Sequence, residues 1–230
     1  MTDVHLRKIQ SFVKRSGRLS KAQSIGLNEL WNDYGINLNG KLLNFEELFL
    51  NQNNVILEVG FGNGDSLLET AIHQPNQNFL GIEVYEAGVG RLINEANKNQ
   101  LVNLKIIKDD AVEVLNNNIP DDSISHFQLF FPDPWHKKRH HKRRIVQTSF
   151  LDLLTIKLKN NGIVHIATDW ENYAEHIMET LESHSHFKNS AGDHIYSERP
   201  EQRPLTKFEN RGQKLGHGVW DIIFTNLKGG

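Results

Sequence analysis

Between residues 55 and 181, short apolar runs alternate with stretches whose apolar residues recur at helical spacing, and this alternation limits the chain to few architectures. Val55–Val59 reads as a buried strand ending in glycines, followed by a helix over Asp65–His73. A second strand covers 79–84, and Val89, Leu92, Ile93 and Ala96 mark a helix behind it. Leu104–Ile107 is a third strand, Ala111–Asn117 a short helix and 126–131 a fourth strand. Val146, Phe150, Leu153 and Leu154 mark the next helix, 163–167 a fifth strand, and Tyr173, Ile177 and Leu181 a further helix. The stretch 218–226 is a last strand, predicted to pair with one near Ile195. Such alternation implies an α/β fold, a mainly parallel sheet with helices on both faces. Ligands of these sheets bind at the carboxyl ends of the strands, so the residues just after each strand matter most.

The 230 residues suffice for one α/β domain, here 25–230, preceded by a basic arm over 1–24 that the sequence marks as weakly ordered. Leu27, Leu30, Trp31, Leu42, Leu43, Phe45, Leu48 and Phe49 are predicted to pack on its core. The absence of cysteine excludes a disulfide framework, a thiolate zinc site and a cysteine nucleophile. No membrane-length apolar run and no secretory h-region are visible, so the cytoplasm is the default location. The net charge of −2 hides strong segregation. Residues 1–24 carry six Lys/Arg and one acid, 136–144 carry six Lys/Arg and none, and the remaining body holds 14 bases against 27 acids. Two basic patches on an acidic body suggest local contact with a polyanion, although each is also compatible with a solvated segment.

The first loop reads Glu58-Val59-Gly60-Phe61-Gly62-Asn63-Gly64-Asp65. Its G-x-G-x-G spacing differs from the dinucleotide fingerprint, whose third glycine would fall on Asp65. Glu58 and Asp65 would repel a pyrophosphate but suit a sulfonium cofactor with an amino group, which favours S-adenosyl-L-methionine over a nicotinamide or flavin. Glu83, at the end of the second strand, can accept from two ribose hydroxyls or face solvent. Asp110 can accept from an adenine amino group, cap the helix at Ala111, or do both.

The fourth strand runs into Phe130-Phe131-Pro132-Asp133-Pro134-Trp135, predicted to be a stiff, extended loop. Asp133 can accept hydrogen bonds from the N1–H and N2–H₂ edge of guanine, and Trp135 offers a stacking face or a core side chain. The polycation His136-Lys137-Lys138-Arg139-His140-His141-Lys142-Arg143-Arg144 starts at once, so a base presented to Asp133 would come from a nucleic acid whose phosphates these cations position. Its histidines do not suggest a metal site among so many cations, and no metal is expected. Thr168-Asp169-Trp170-Glu171 has the capping-box pattern, with Asp169 an alternative substrate contact. The polar loop 203–214 places Thr206 and Glu209 as candidates for a base edge and Lys207 and Arg211 for a phosphate, with a plain surface loop as the alternative.

Together these motifs resemble the bacterial tRNA (guanine-N7-)-methyltransferase family, the TrmB type. The resemblance is carried by LEVGFGNGDSLL (57–68), GIEVYEAG (81–88), DDAVEVL (109–115), LFFPDPWHKKRHHKRRIVQ (129–147), ATDWENYAEH (167–176) and RPLTKFENRGQKLGHGVWD (203–221). It implies a class I S-adenosylmethionine-dependent, Rossmann-like fold with a seven-stranded sheet, and methyl transfer to N7 of the variable-loop guanine, position 46, leaving S-adenosyl-L-homocysteine. It further implies that Glu58, Gly60, Gly62, Gly64, Glu83, Asp110 and Asp133 line the cofactor site, with Asp133 catalytic. Lys137, Asp169 and Thr206, Lys207, Phe208 and Glu209 are implied to bind substrate, with Arg139, His140, His141, Lys142, Arg143 and Arg144 contacting RNA. The partner is tRNA; no membrane and no obligatory protein partner is evident. The rival readings are methylation of another nucleic acid or a small molecule, and a binding module without chemistry.

Overall fold

The computed structural model describes residues 11–12, 18–205, 209 and 218–228. Its centre is β1 (Val55–Val59), buried along its whole length. β2 (Asn78–Ile82) lies on one side of it and β4 (Ile124–Phe130) on the other, both parallel. β3 (Leu104–Ile107) extends the β2 edge, and β5 (Leu158–Thr168) pairs in parallel with β4. β7 (Trp220–Asn226) is antiparallel to β5 and to β6 (Phe187–Asn189), completing the order β3-β2-β1-β4-β5-β7-β6. The alternation in the sequence therefore yields a seven-stranded, mostly parallel sheet.

Side chains alternate across β1 and split the core in two. Val55, Leu57 and Val59 face a cluster with Val114 of α6 (Ala111–Asn117), Phe150 of α7 (Thr148–Lys157) and Ile177 of α8 (Glu171–Glu182). Ile56 joins the opposite cluster, with Leu67 of α4 (Asp65–His73) and Val89 and Leu92 of α5 (Glu86–Lys98). The amino-terminal helices α1 (Lys21–Asn28), α2 (Trp31–Tyr34) and α3 (Phe45–Phe49) close over these layers. Ser20 caps α1 through a reciprocal box with Gln23, so regular structure begins before the boundary anticipated at residue 25.

Two local expectations are corrected. The last strand pairs with β5 and β6, whereas near Ile195 only Ser197 makes a single bridge to Asp221. The capping box at Thr168 does not form: α8 has Trp170 as its N-cap, and Thr168 Oγ1 instead accepts from Trp170 N at 3.2 Å. Thr168 is still the last residue of β5, paired with Trp220, so its hydroxyl reaches only the turn between strand and helix. No described helix is long and apolar enough to cross a membrane.

Candidate active site

The order of strands brings the first and fourth loops together, because β1 and β4 are neighbours with Val59 opposite Leu129. This is the point where connections turn toward opposite edges of the sheet, the usual place for a crevice. A cavity of about 470 Å³ lies there, within the range of small-molecule sites.

Its floor is the glycine loop. Gly60, Gly62 and Gly64 all have positive φ (71°, 57° and 76°), a conformation that side-chain-bearing residues rarely adopt. Gly60 N donates to Ile82 O at 2.8 Å, tying the loop to β2. Gly62 N donates to Glu83 Oε2 at 2.7 Å. The other oxygen of Glu83 accepts from Val84 N (2.6 Å) and Tyr85 N (3.0 Å). Glu83 thus clamps two loops before any ligand arrives, leaving it about one lone-pair direction for a hydroxyl. At Gly88 of α5 a Cβ would sit 1.8 Å from Gly62 O, so only glycine lets the helix support the loop from behind.

Glu58, at the end of β1, is buried, and its Oε2 has no hydrogen-bond partner. Burial, then the nearby Glu83, pushes its carboxyl up to about 8. An unsatisfied buried acid costs about 1–3 kcal/mol, a cost that a cationic or hydrogen-donating ligand would relieve. The described lining contains five carboxylates (Glu58, Asp65, Glu83, Asp109 and Asp133) and no lysine or arginine. Asp65 is itself engaged by Arg91 at 2.5 Å. This charge set rejects a phosphate-bearing cofactor and fits one with an ammonium and a sulfonium.

Asp110 takes the capping role, accepting from Val112 N at 2.9 Å at the start of α6. Its neighbours Asp109 and Ala111 line the cavity instead. Asp109 is not among the candidates read from the sequence, whereas Asp110 is read there as both a helix cap and a cofactor contact. Phe61, Tyr85 and Ile145 also line the cavity, as do Ser11 and Phe12, which nothing in the sequence pointed to.

The reaction loop is not simply extended. Phe131 and Trp135 adopt left-handed conformations (φ 52° and 49°), turning the chain on either side of Pro132-Asp133-Pro134. Such residues cost of order 1–3 kcal/mol each and persist only where surroundings impose them. Phe131 N is held by Ala167 O at 2.7 Å, and Pro134 O by Arg144 Nε at 3.0 Å. Between these anchors Asp133 is exposed and lines the cavity. Trp135 is half-buried: Arg143 lies over its ring at 3.7 Å and its Nε1 donates to Ser11 O at 3.1 Å. One face of the indole is thereby covered.

The polycation folds as a 3₁₀ turn, Lys138–Arg143. Lys137, Lys138, Arg139 and Lys142 are exposed. Desolvation and then neighbouring cations, Arg139 foremost for His140 and Arg144 for His141, hold both histidines below their ordinary range, so lysine and arginine carry the turn's charge at neutral pH. Arg144 differs from the other cations. It is 3% exposed, donates to Asn172 Oδ1 at 2.8 Å and packs over Tyr173 at 4.7 Å, bracing the loop against α8. Asp169 is exposed at the end of β5, beside the end of β4. Thr206, Lys207 and Phe208 lie outside the described residues. Glu209, the candidate for a base edge, is buried in an ion pair with Arg203.

A family model described as that of a methyltransferase matches residues 52–222. A tRNA (guanine-N(7)-)-methyltransferase of Shewanella amazonensis is 51% identical over 225 residues, 98% of this chain and 94% of that protein. Another of the same name, from Vibrio parahaemolyticus, is 53% identical over 223 residues, covering 96% and 93%. Among solved structures, the 16S rRNA methyltransferase KamB aligns with TM-score 0.60 at 15% identity, over 80% of this chain and 92% of that one, a likeness of fold.

Proposed function

The chain belongs to the tRNA (guanine-N(7)-)-methyltransferase family, and from that premise we propose that it transfers the methyl group of S-adenosyl-L-methionine to N7 of the variable-loop guanine, position 46, of tRNA in the cytoplasm. The observation that carries this reading is that buried, unsatisfied Glu58 and exposed Asp133 line one cavity, and that the loop bearing Asp133 runs directly into the Lys138–Arg143 turn.

S-adenosyl-L-methionine supplies an electrophilic methyl on a sulfonium. Glu58 would hold its cationic end and give up a proton in doing so, and Glu83 and the glycine loop would take its ribose side. Asp109, with Asp110 behind it as a cap, borders the place for its base. Guanine N7 has an in-plane lone pair and no proton, so displacement at the methyl carbon needs no general base. The N7–C bond forms as the C–S bond breaks, and the electron pair remains on sulfur. Asp133 orients the base through its N1–H and N2–H₂ edge and offsets the positive charge that develops on the ring. Lys137, Lys138, Arg139 and Lys142 draw in phosphates.

The test incubates the protein with methyl-labelled cofactor and bulk tRNA and digests the product to nucleosides. N7-methylguanosine is the expected product. Label in a different nucleoside would overturn the substrate assignment, and no label would leave a module that binds without chemistry.

A further inference from the structure

Trp170 stands where the reaction loop meets the turn after β5. Its main chain builds that turn: N donates to Thr168 Oγ1 at 3.2 Å, and the carbonyl accepts from Tyr173 N and Ala174 N, both at 2.9 Å. Its ring has no such duty. It belongs to neither core cluster and is 39% exposed, the one exposed phenylalanine, tyrosine or tryptophan among the described residues. The ring of His136, three residues after Asp133, meets it edge-on, with centres 4.2 Å apart and planes at 66°. Exposed Asp169 directly precedes it, and exposed Lys137, Lys138 and Arg139 directly follow His136. The two loops are neighbours because β5 lies beside β4, with Phe131 N tied to Ala167 O.

A single exposed apolar side chain is ordinary on a protein surface. What sets Trp170 apart is its place, beside the loop of the acid that reads the base and beside the cations that hold the backbone. Trp135, the ring to which the sequence points as a stacking face, is covered on one side by Arg143 and spends its Nε1 on Ser11 O. A guanine that reaches Asp133 must leave its stack, so the base beside it loses a stacking partner. An aromatic side chain replaces that partner whatever the base, because every base has a π-face. We infer that Trp170, met edge-on by His136, is a stacking platform for the base next to the target guanine, while Asp133 reads the target itself. The inference rests on the methyl transfer proposed above and extends recognition to a second nucleotide.

The experiment is a double-mutant cycle between protein and RNA. Wild type, Trp170→Phe and Trp170→Leu are compared on tRNA transcripts that are intact or lack the base 5′ or 3′ of the target guanine. Equilibrium tRNA binding and single-turnover N7 methylation are measured, with cofactor affinity and thermal midpoint as controls. Phenylalanine keeps a ring, and leucine keeps apolar bulk without one. A platform predicts that Trp170→Leu weakens tRNA binding by roughly 5- to 150-fold, with cofactor affinity and midpoint unchanged, and that Trp170→Phe keeps most of the affinity. Removing the stacked base should weaken wild type by a similar factor and add almost nothing to the loss in Trp170→Leu. Wild-type affinity in Trp170→Leu, equal losses in the two variants, or losses that multiply at both neighbouring bases would overturn the inference. Should Trp170→Leu fail to fold, Trp170→Gln, polar at this exposed position, carries the same comparison. Wild type that makes no N7-methylguanosine sinks the proposed function instead, while the coupling in binding still decides the platform.

Discussion

The two halves of the cavity are built on different principles. On the cofactor side, the shape is made by backbone: three left-handed glycines, a helix seated against Gly62 through Gly88, and a short carboxylate, Glu83, that joins two loops by three main-chain hydrogen bonds. On the side of the reaction loop, arginines that do not line the cavity hold the loop from behind. Arg143 covers Trp135, Arg144 braces Pro134 against α8, and Arg203 grips Glu209 and Asp221. The lesson is that a cation or acid in a binding motif is not thereby a ligand. On the glycine-loop side Glu58 Oε2 has no hydrogen-bond partner, whereas behind the reaction loop Arg144, Arg203 and Glu209 are held in internal contacts.

If that contrast is right, the largest loss should come from the one acid of the reaction loop that stays exposed. Asp133→Asn keeps the size and the loop anchors but removes the charge and turns one acceptor into a donor facing the guanine edge. The single-turnover rate should fall by on the order of 10²- to 10³-fold, the size of effect seen when one preorganised electrostatic group is lost. Cofactor affinity, if the glycine loop and Glu58 carry it as proposed, should change little in equilibrium titration. A large drop in cofactor affinity with an intact rate at saturation would move Asp133 to the cofactor half and dissolve the division.

Next in size is the pH behaviour of Glu58. Its folded-state pKa, about 8, lies above the ordinary carboxylic value, so the folded protein holds a proton that the unfolded chain releases. Stability is therefore fully present below about pH 4.5 and is lost as pH rises toward 8, by on the order of a few kcal/mol. Buried His126 acts with the opposite sign: burial and then His165 hold it at about 4, so its contribution is lost as pH falls from 6.5 through 4. The clean window for Glu58 is thus pH 6.5 to 8. Glu58→Gln should raise the thermal midpoint at pH 8, flatten that window and abolish proton release on cofactor binding, read by calorimetry in buffers of different ionisation enthalpy. A wild-type midpoint that does not decline over this window would contradict the buried acid.

The same division explains what could be read from the residues alone. The bounds of β1, α4, β3 and α6 were visible because apolar periodicity and glycine spacing act locally. Glu58, Glu83 and Asp133 meet at one cavity because each sits at or near the carboxyl end of a strand, where the backbone fixes what its side chain can reach. Asp109, which lines the cavity, was not singled out from the residues, although its neighbour Asp110 was. The pairing of β7 with β5 and β6 was not legible because an antiparallel pairing between distant segments is set by tertiary packing, which no short window encodes. The contacts of Arg144 with Asn172 and of Glu209 with Arg203 could not be read from the residues, because a long side chain chooses its partner from tertiary neighbours.

The smallest effect separates two arginines of one basic run. Arg139 is exposed on the 3₁₀ turn, whereas Arg144, five residues on, is buried against Asn172 and Tyr173. Arg139→Gln should cost less than tenfold in tRNA affinity and reduce the slope of log affinity against log salt by roughly 0.7–0.9, one phosphate contact, with an unchanged thermal midpoint. Arg144→Gln should do the reverse: an unaltered slope, and a stability loss of about 1–3 kcal/mol in denaturant titration from the stranded Pro134 and Asn172 acceptors. Both arginines carry the same charge at almost the same place in the chain, so composition alone predicts identical slopes. Equal slopes for the two variants would mean that Arg144 leaves its buried site to meet the phosphates, and that the bracing of the reaction loop is undone whenever RNA is bound.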